Sequence, residues 1–145
     1  DPPILDSAKT LGVRVQDIVV QNPGVFAPFF AAAKEAGADA ALIPDVARLI
    51  PHKIGKEASQ SRLPSIGFQR TFAESGGLLS YAPMLSEARA RMAVQIDRIL
   101  RGTNPADLPV EQPTRFEFVI NMKTAKALGL AIPQAVRLRA DRVIN

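Results

Sequence analysis

His52 is the one histidine in the 145-residue chain, and there is no cysteine. Imidazole chemistry therefore has a single bearer and thiol chemistry has none. A Ser-His-Asp arrangement would have to use His52, yet no serine stands in a G-x-S-x-G elbow. Zinc sites built from histidine and cysteine need several such ligands together, and the sequence does not supply them. The surrounding "LIPHKIGK" reads as an exposed turn of an irregular helix, which is the simpler account of His52. Glu111 and Glu117 flank a loop and a strand start, without the pairing that divides acid and base roles between two carboxylates. Neither G-x-G-x-x-G nor G-x-x-x-x-G-K-[ST] occurs, so no phosphate cradle is expected. The expectation is a protein that is not an enzyme and uses no cofactor or metal.

Binding chemistry has a better candidate. "GGLLSYAP" (76–83) carries the chain's one tyrosine, Tyr81, at the end of a strand-like run that Pro83 stops. A tyrosine ring buries a large flat face while its hydroxyl keeps a polar partner, which suits a half-wet cleft. Two readings stand at this point: a binding platform, or a boundary residue half in the core.

The elements that would position Tyr81 alternate along the chain. "ILDSAKTLG" predicts a short helix that Gly12 ends. "VRVQDIVV" (13–20) alternates as a strand. Asn22 and Pro23 look like a helix cap and first turn, with Phe26, Phe29, Phe30 and Ala33 on one face; Pro28 must either kink this helix or mark its true start. "ADAALIPD" (38–45) predicts a buried strand, and Asp45 a cap for a helix over 47–60. "LPSIGF" (63–68) and "GLLSYA" (77–82) are further strands. Ser86 opens the clearest helix, with Leu85, Ala88, Met92, Ile96 and Ile99 as its apolar stripe and Arg89, Arg91, Gln95 and Arg98 facing away. "TNPADLPVEQPT" is a proline-rich connector. "RFEFVINM" (115–122) predicts a strand, Asn121 a cap for "MKTAKALG", and Pro133 the start of a last short helix. Strand and helix alternation argues an α/β fold around a mostly parallel sheet. In such sheets ligands sit beyond the carboxyl ends of the strands. That rule gathers Asp45, Phe68, Gln69 and Tyr81 at one edge as the candidate ligand-binding residues.

Composition bounds the partners. The hydrophobic fraction of 47% and charged fraction of 22% are those of an ordinary globular domain. No apolar run approaches the roughly 20 residues of a membrane span. The net charge of +4 comes from scattered residues without aromatic interleaving, so no nucleic-acid partner is expected. The opening "DPPILDSAK" shows no basic segment followed by an apolar one.

"GGLLSY", "ILRGTNPADLPVEQPT" and "FEFVINMKTAKALGL" together resemble the C-terminal part of bacterial ABC-transporter substrate-binding proteins. The likeness is to the subgroup with the periplasmic-binding-protein type I fold, which includes tryptophan- and phenylalanine-binding members, and a looser match extends it over residues 8–70. The resemblance implies a three-layer α/β lobe of a clamshell that closes on a small solute such as an amino acid and passes it to an ABC permease in the periplasm. By the same resemblance, residues 1–83 supply the second lobe and residues 84–145 the crossover helix, connector, returning strand and terminal helices. Relatives often carry "SYGP" where this chain has "SYAP", and "IPDVARLIPHK" also departs from the commoner pattern, which leaves the solute open. Such proteins are usually about twice this long, two domains of ordinary size. The chain is thus expected to be the C-terminal half, lacking the strand that would lie between 13–20 and 38–45. Left so, its edges and helix 86–101 predict a homodimer with exchanged elements. A reading from another class is a stand-alone α/β regulatory or protein-interaction domain.

Overall fold

The computed structural model describes residues 2–19, 26–43 and 51–145. Helix α1 (Pro2–Leu11) ends at Gly12, whose φ of 66° is the left-handed conformation that glycine tolerates without strain. Helix α2 (Ala27–Glu35) has Phe26 as its N-cap and Pro28 in its first turn, so this proline marks the beginning of the helix and does not kink it. The Asn22-Pro23 start lies outside the described residues. Strand β1 (Ala41–Leu42), helix α3 (Pro51–Ser61), strand β2 (Ser65–Gly67), helix α4 (Arg70–Glu74) and strand β3 (Leu79–Pro83) follow. Helix α5 (Leu85–Leu100) leads through a 3-10 turn at Pro105–Asp107 to strand β4 (Phe116–Asn121), then helices α6 (Met122–Ala127) and α7 (Gln134–Arg137) and strand β5 (Arg142–Ile144).

The five strands among the described residues make one sheet in the order β1-β2-β3-β4-β5. The pairings β1–β2, β2–β3 and β4–β5 are parallel, and β3–β4 is antiparallel, so the sheet is mixed but mostly parallel and flanked by helices. Its core joins Phe26, Phe30 and Ala33 to Ala41 and Ile43, to Ile54 and Ala58, and to Leu63 and Phe72. Each large apolar side chain removed from water here contributes about 1.5–3 kcal/mol, which is why α2, α3 and α4 are held against the β1–β2 region.

One predicted strand is corrected. Residues 13–19 form no regular structure, and Val13, Val15 and Val19 are exposed. A strand needs a neighbour for its backbone groups, and alternation of side chains does not provide one. Among the described strands β1 pairs with β2 alone, and nothing pairs with 13–19. The irregular helix expected around "LIPHKIGK" is regular from Pro51 to Ser61.

Helix α5 has the predicted apolar stripe but none of its residues is buried: Leu85, Met92, Ile96 and Ile99 are all exposed. Its polar side was read as facing away, and this too is corrected for Arg91 and Gln95. Arg91 pairs with Glu87 at 2.7 Å and with Glu111 at 3.2 Å, and donates to Thr114 Oγ1 at 2.8 Å and to the Gln112 carbonyl. Gln95 Nε2 donates to the carbonyl of Pro109. A proline-rich segment has few backbone donors of its own, so these side chains tie it along the helix. The Arg91 hydrogen bond holds the Glu87 carboxyl below the usual carboxylate range against the opposing effect of desolvation, aided by Thr114. Because the folded-state value is the lower one, this tie is complete at neutral pH and is lost as the pH falls through that lowered value. An acid titration by NMR should show the Thr114 amide, beside the hydroxyl that donates to Glu87, shifting with a midpoint below that of an ordinary glutamate; a midpoint at the ordinary value would disprove the link.

Candidate functional site

A single aromatic ring sets the position of the β2–α4 turn. Phe72 of α4 is 3% exposed and lies against Gly67 and Gly77. A Cβ at Gly67 would stand 2.6 Å from Phe72 Cδ1, and one at Gly77 would enter the same ring. The glycines of "SIG" and "GGL" are therefore seats for Phe72, and the close approach fixes α4 against the sheet. Behind it, Asn121 is buried; its Nδ2 donates to the Ala73 carbonyl at 2.7 Å and its Oδ1 accepts from the Thr124 N–H at 3.1 Å. The predicted cap of α6 thus also latches the end of α4 to β4. Thr124 Oγ1 donates to the Gly76 carbonyl at 3.0 Å, completing the latch.

With α4 fixed, three of the four predicted site residues come to one end of the sheet. The last β2–β3 pair is Gly67 with Ser80, so Phe68 follows at the level of Tyr81. Phe68 is 38% exposed and Tyr81 is 51% exposed. Gln69 is half-buried at the N-cap position of α4, and its Oε1 accepts from Thr71 Oγ1 at 3.3 Å. Asp45 lies outside the described residues. Tyr81 is not at the strand tip as the sequence suggested. It sits in the middle of β3, because β3 continues through Ala82 and Pro83 in register with Glu117 and Phe116. Beyond Gly67, then, β3 and β4 continue as a two-stranded ribbon standing above the end of β2.

That ribbon carries residues the sequence reading missed. The Tyr81 ring stacks on Phe116 with centroids 5.3 Å apart and planes 7° from parallel, and meets Phe118 edge-on at 6.2 Å. Offset and edge-on pairs of this kind contribute about 0.5–1.5 kcal/mol beyond their burial. The signal was present in the alternation of "RFEFV", but only the antiparallel register brings those rings to Tyr81. On the ribbon's other face Glu117 opposes Ala82 in register. Its carboxylate takes both Nε (3.0 Å) and Nη2 (2.6 Å) of Arg70, the residue after Gln69. Among the described residues no group of histidine, cysteine, aspartate and glutamate could hold a metal ion, and no helix is long and apolar enough to cross a membrane.

An aromatic surface at the carboxyl ends of strands, with polar groups beside it, is the arrangement expected for binding a small molecule. Comparison with known proteins is decisive on the family: residues 4–144 match the family described as ABC transporter substrate binding protein. The chain belongs to that family. This ABC substrate-binding family member superposes on a conserved domain protein of Vibrio cholerae O1 biovar El Tor with a TM-score of 0.86, at 24% identity over 98% of this chain and 48% of the other. It also superposes on an ABC domain from Streptococcus pneumoniae in complex with L-Trp, with a TM-score of 0.82 and 24% identity over 99% of this chain and 50% of the other. A third likeness, TM-score 0.66 at 17% identity over 99% of this chain and 48% of the other, is to the ligand-free, open form of a substrate-binding protein with adhesive properties from Clostridium difficile. Identities this low establish a shared fold. The family member described here spans about half the length of each of these structures. Among curated proteins no sequence matches it.

Proposed function

We propose that the chain is the C-terminal portion of the solute-binding component of an ABC-type importer, acting in the periplasm, where it offers a small solute to the permease. The solute we assign is a small molecule with a flat ring, an aromatic amino acid being the simplest, and the protein takes no catalytic part. The observation that carries this reading is the half-exposed Tyr81 ring, backed by Phe116 and flanked by Phe68 at the end of β2. A stacked neighbour holds the ring in place while leaving half of it open. The bound L-Trp in the Streptococcus pneumoniae relative supports the choice of an aromatic solute. Tyr81→Ala is expected to weaken binding of L-tryptophan by about 1–3 kcal/mol, the scale of an aromatic contact plus a hydrogen bond, and Tyr81→Phe by less. Calorimetry on the complete two-lobed protein checks this; equal binding by its Tyr81→Ala variant and the unaltered form would return Tyr81 to the boundary-residue reading.

A second element of the proposal is that α5 is covered by a second copy of the chain. Its stripe is symmetric about Met92, with Leu85 and Ile99 each seven positions away, so an antiparallel copy would set Leu85 against Ile99. Light scattering at micromolar concentration is expected to give a dimer, and Met92→Glu a monomer. A compact monomer for the unaltered chain would remove this element and leave the solute-binding reading intact.

A further inference from the structure

We propose that the turn Arg137–Leu138–Arg139 rests on an anionic phospholipid surface, with Leu138 entering the headgroup layer and the two arginines on lipid phosphates. Basic side chains occur along the whole chain, but their excess does not. Residues 1–121 carry thirteen lysines and arginines against thirteen aspartates and glutamates. The net charge of +4 therefore belongs to residues 122–145, which hold five basic side chains and one acid. That acid, Asp141, is committed to the backbone, its Oδ2 accepting the Phe118 N–H at 2.7 Å. Arg142 is paired with Glu74 at 3.4 Å. Lys123, Lys126, Arg137 and Arg139 are exposed, and among the described residues no acid pairs with them.

An apolar side chain protrudes from the middle of this charge. Leu138 is 78% exposed, and it closes α7 in helical conformation. Arg137 and Arg139 therefore flank it, about 100° to either side. The turn is held in that form by the Leu138 N–H on the Gln134 carbonyl and the Arg139 N–H on the Val136 carbonyl. A leucine so placed gains nothing from its own fold. It gains on entering the boundary between headgroups and acyl chains, where the guanidinium forks meet phosphate. A specific protein interface buries about 800 Å² on each partner, far more than one turn presents, whereas a lipid surface needs no matching pocket. The turn is also clamped to the site end of the sheet. Asp141 donates its N–H to the Phe118 carbonyl at 2.9 Å as well as accepting from Phe118, and Phe118 pairs with Tyr81. Contact with lipid at 137–139 thus keeps the Tyr81 end of the sheet near the membrane.

Vesicle flotation of the 145-residue chain tests this, with phosphatidylcholine alone and with equal parts of phosphatidylcholine and phosphatidylglycerol. Binding to the mixed vesicles only is expected, weakening as salt is raised. Arg137→Gln and Arg139→Gln should each weaken it about fivefold. Leu138→Ser should weaken it severalfold, and all three variants should melt with the parent chain because these side chains are exposed. Arg89→Gln combined with Arg98→Gln removes the same charge from exposed positions on α5 and should change binding little. Equal losses from the α5 pair would mean attraction by net charge or contact through α5, and an unaffected Leu138→Ser would mean that nothing enters the lipid. Either result overturns the proposal, as does equal binding to both kinds of vesicle or to neither. Binding of soluble poly-L-glutamate in place of vesicles, with the same dependence on the two arginines, would give the surface to an acidic protein and overturn it too. All of these outcomes leave the solute-binding reading as it stands.

Discussion

Phe72→Ala is expected to lower the free energy of unfolding by about 3–5 kcal/mol, the cost of emptying a buried aromatic site. The site collapses poorly because the wall on the sheet side is backbone. Gly67 and Gly77 contribute no side chain that could move in, and Gly55 of α3 is pinned from the other side by Ser75 and the Phe72 carbonyl. The ring is 3% exposed and belongs to the same cluster as Phe30, Ile54 and Leu63. Loss of the ring therefore loosens α4 from β2 and from α3 at once. Urea denaturation followed by circular dichroism gives the number directly. Phe72→Leu should cost distinctly less. A change below about 1 kcal/mol for alanine would mean that α4 is held by something other than this ring.

Asn121→Ala is expected to cost about 2–4 kcal/mol, although it removes only one small polar side chain. The side chain closes two backbone groups, the carbonyl of Ala73 and the N–H of Thr124, and both stay buried when it is gone. A buried amide group left without a partner costs about 1–3 kcal/mol, and the cavity adds to it. The signature that separates this from generic destabilisation is local: the Thr124 amide should lose its protection from hydrogen exchange before the β3–β4 amides do. Asn121→Asp keeps the cap of α6 but turns an oxygen toward the Ala73 carbonyl, so it should also destabilise, more at neutral pH than in acid. If Asn121→Ala unfolds at the same urea concentration as the parent chain, water has replaced the amide and the latch is not structural.

What the residues revealed of this fold depended on how local each signal was. Helix α5 was readable because a stripe repeated over sixteen positions cannot be mistaken for a strand. The cap at Asn121 was readable because capping is settled within four residues. Helix α4 spans five residues and strand β5 three, too few for any period to show. The strand predicted at 13–20 failed for the opposite reason: its pattern was clear, but a strand is a pairing, and pairing is not a property of one segment. The candidate site divides in the same way. Phe68, Gln69 and Tyr81 followed from the rule that strand ends gather ligands. Phe116 and the Arg70–Glu117 pair did not, because contacts across 47 residues depend on the antiparallel register of β3 and β4.

Pro83 at the end of that ribbon also governs how the chain behaves in a crowded solution. The bond from the Met84 N–H to the Arg115 carbonyl fixes the phase of the ladder, so residue 83 turns its backbone edge away from β4. An exposed strand edge beside the apolar rings of Tyr81 and Phe116 would be an ordinary starting point for intermolecular stacking into fibres. At residue 83 the donor such stacking would need does not exist, because the nitrogen belongs to a proline ring. Pro83 thus takes one donor away from the free edge beside the exposed rings, and Pro83→Val, which restores that donor, is expected to aggregate sooner in a turbidity or thioflavin assay.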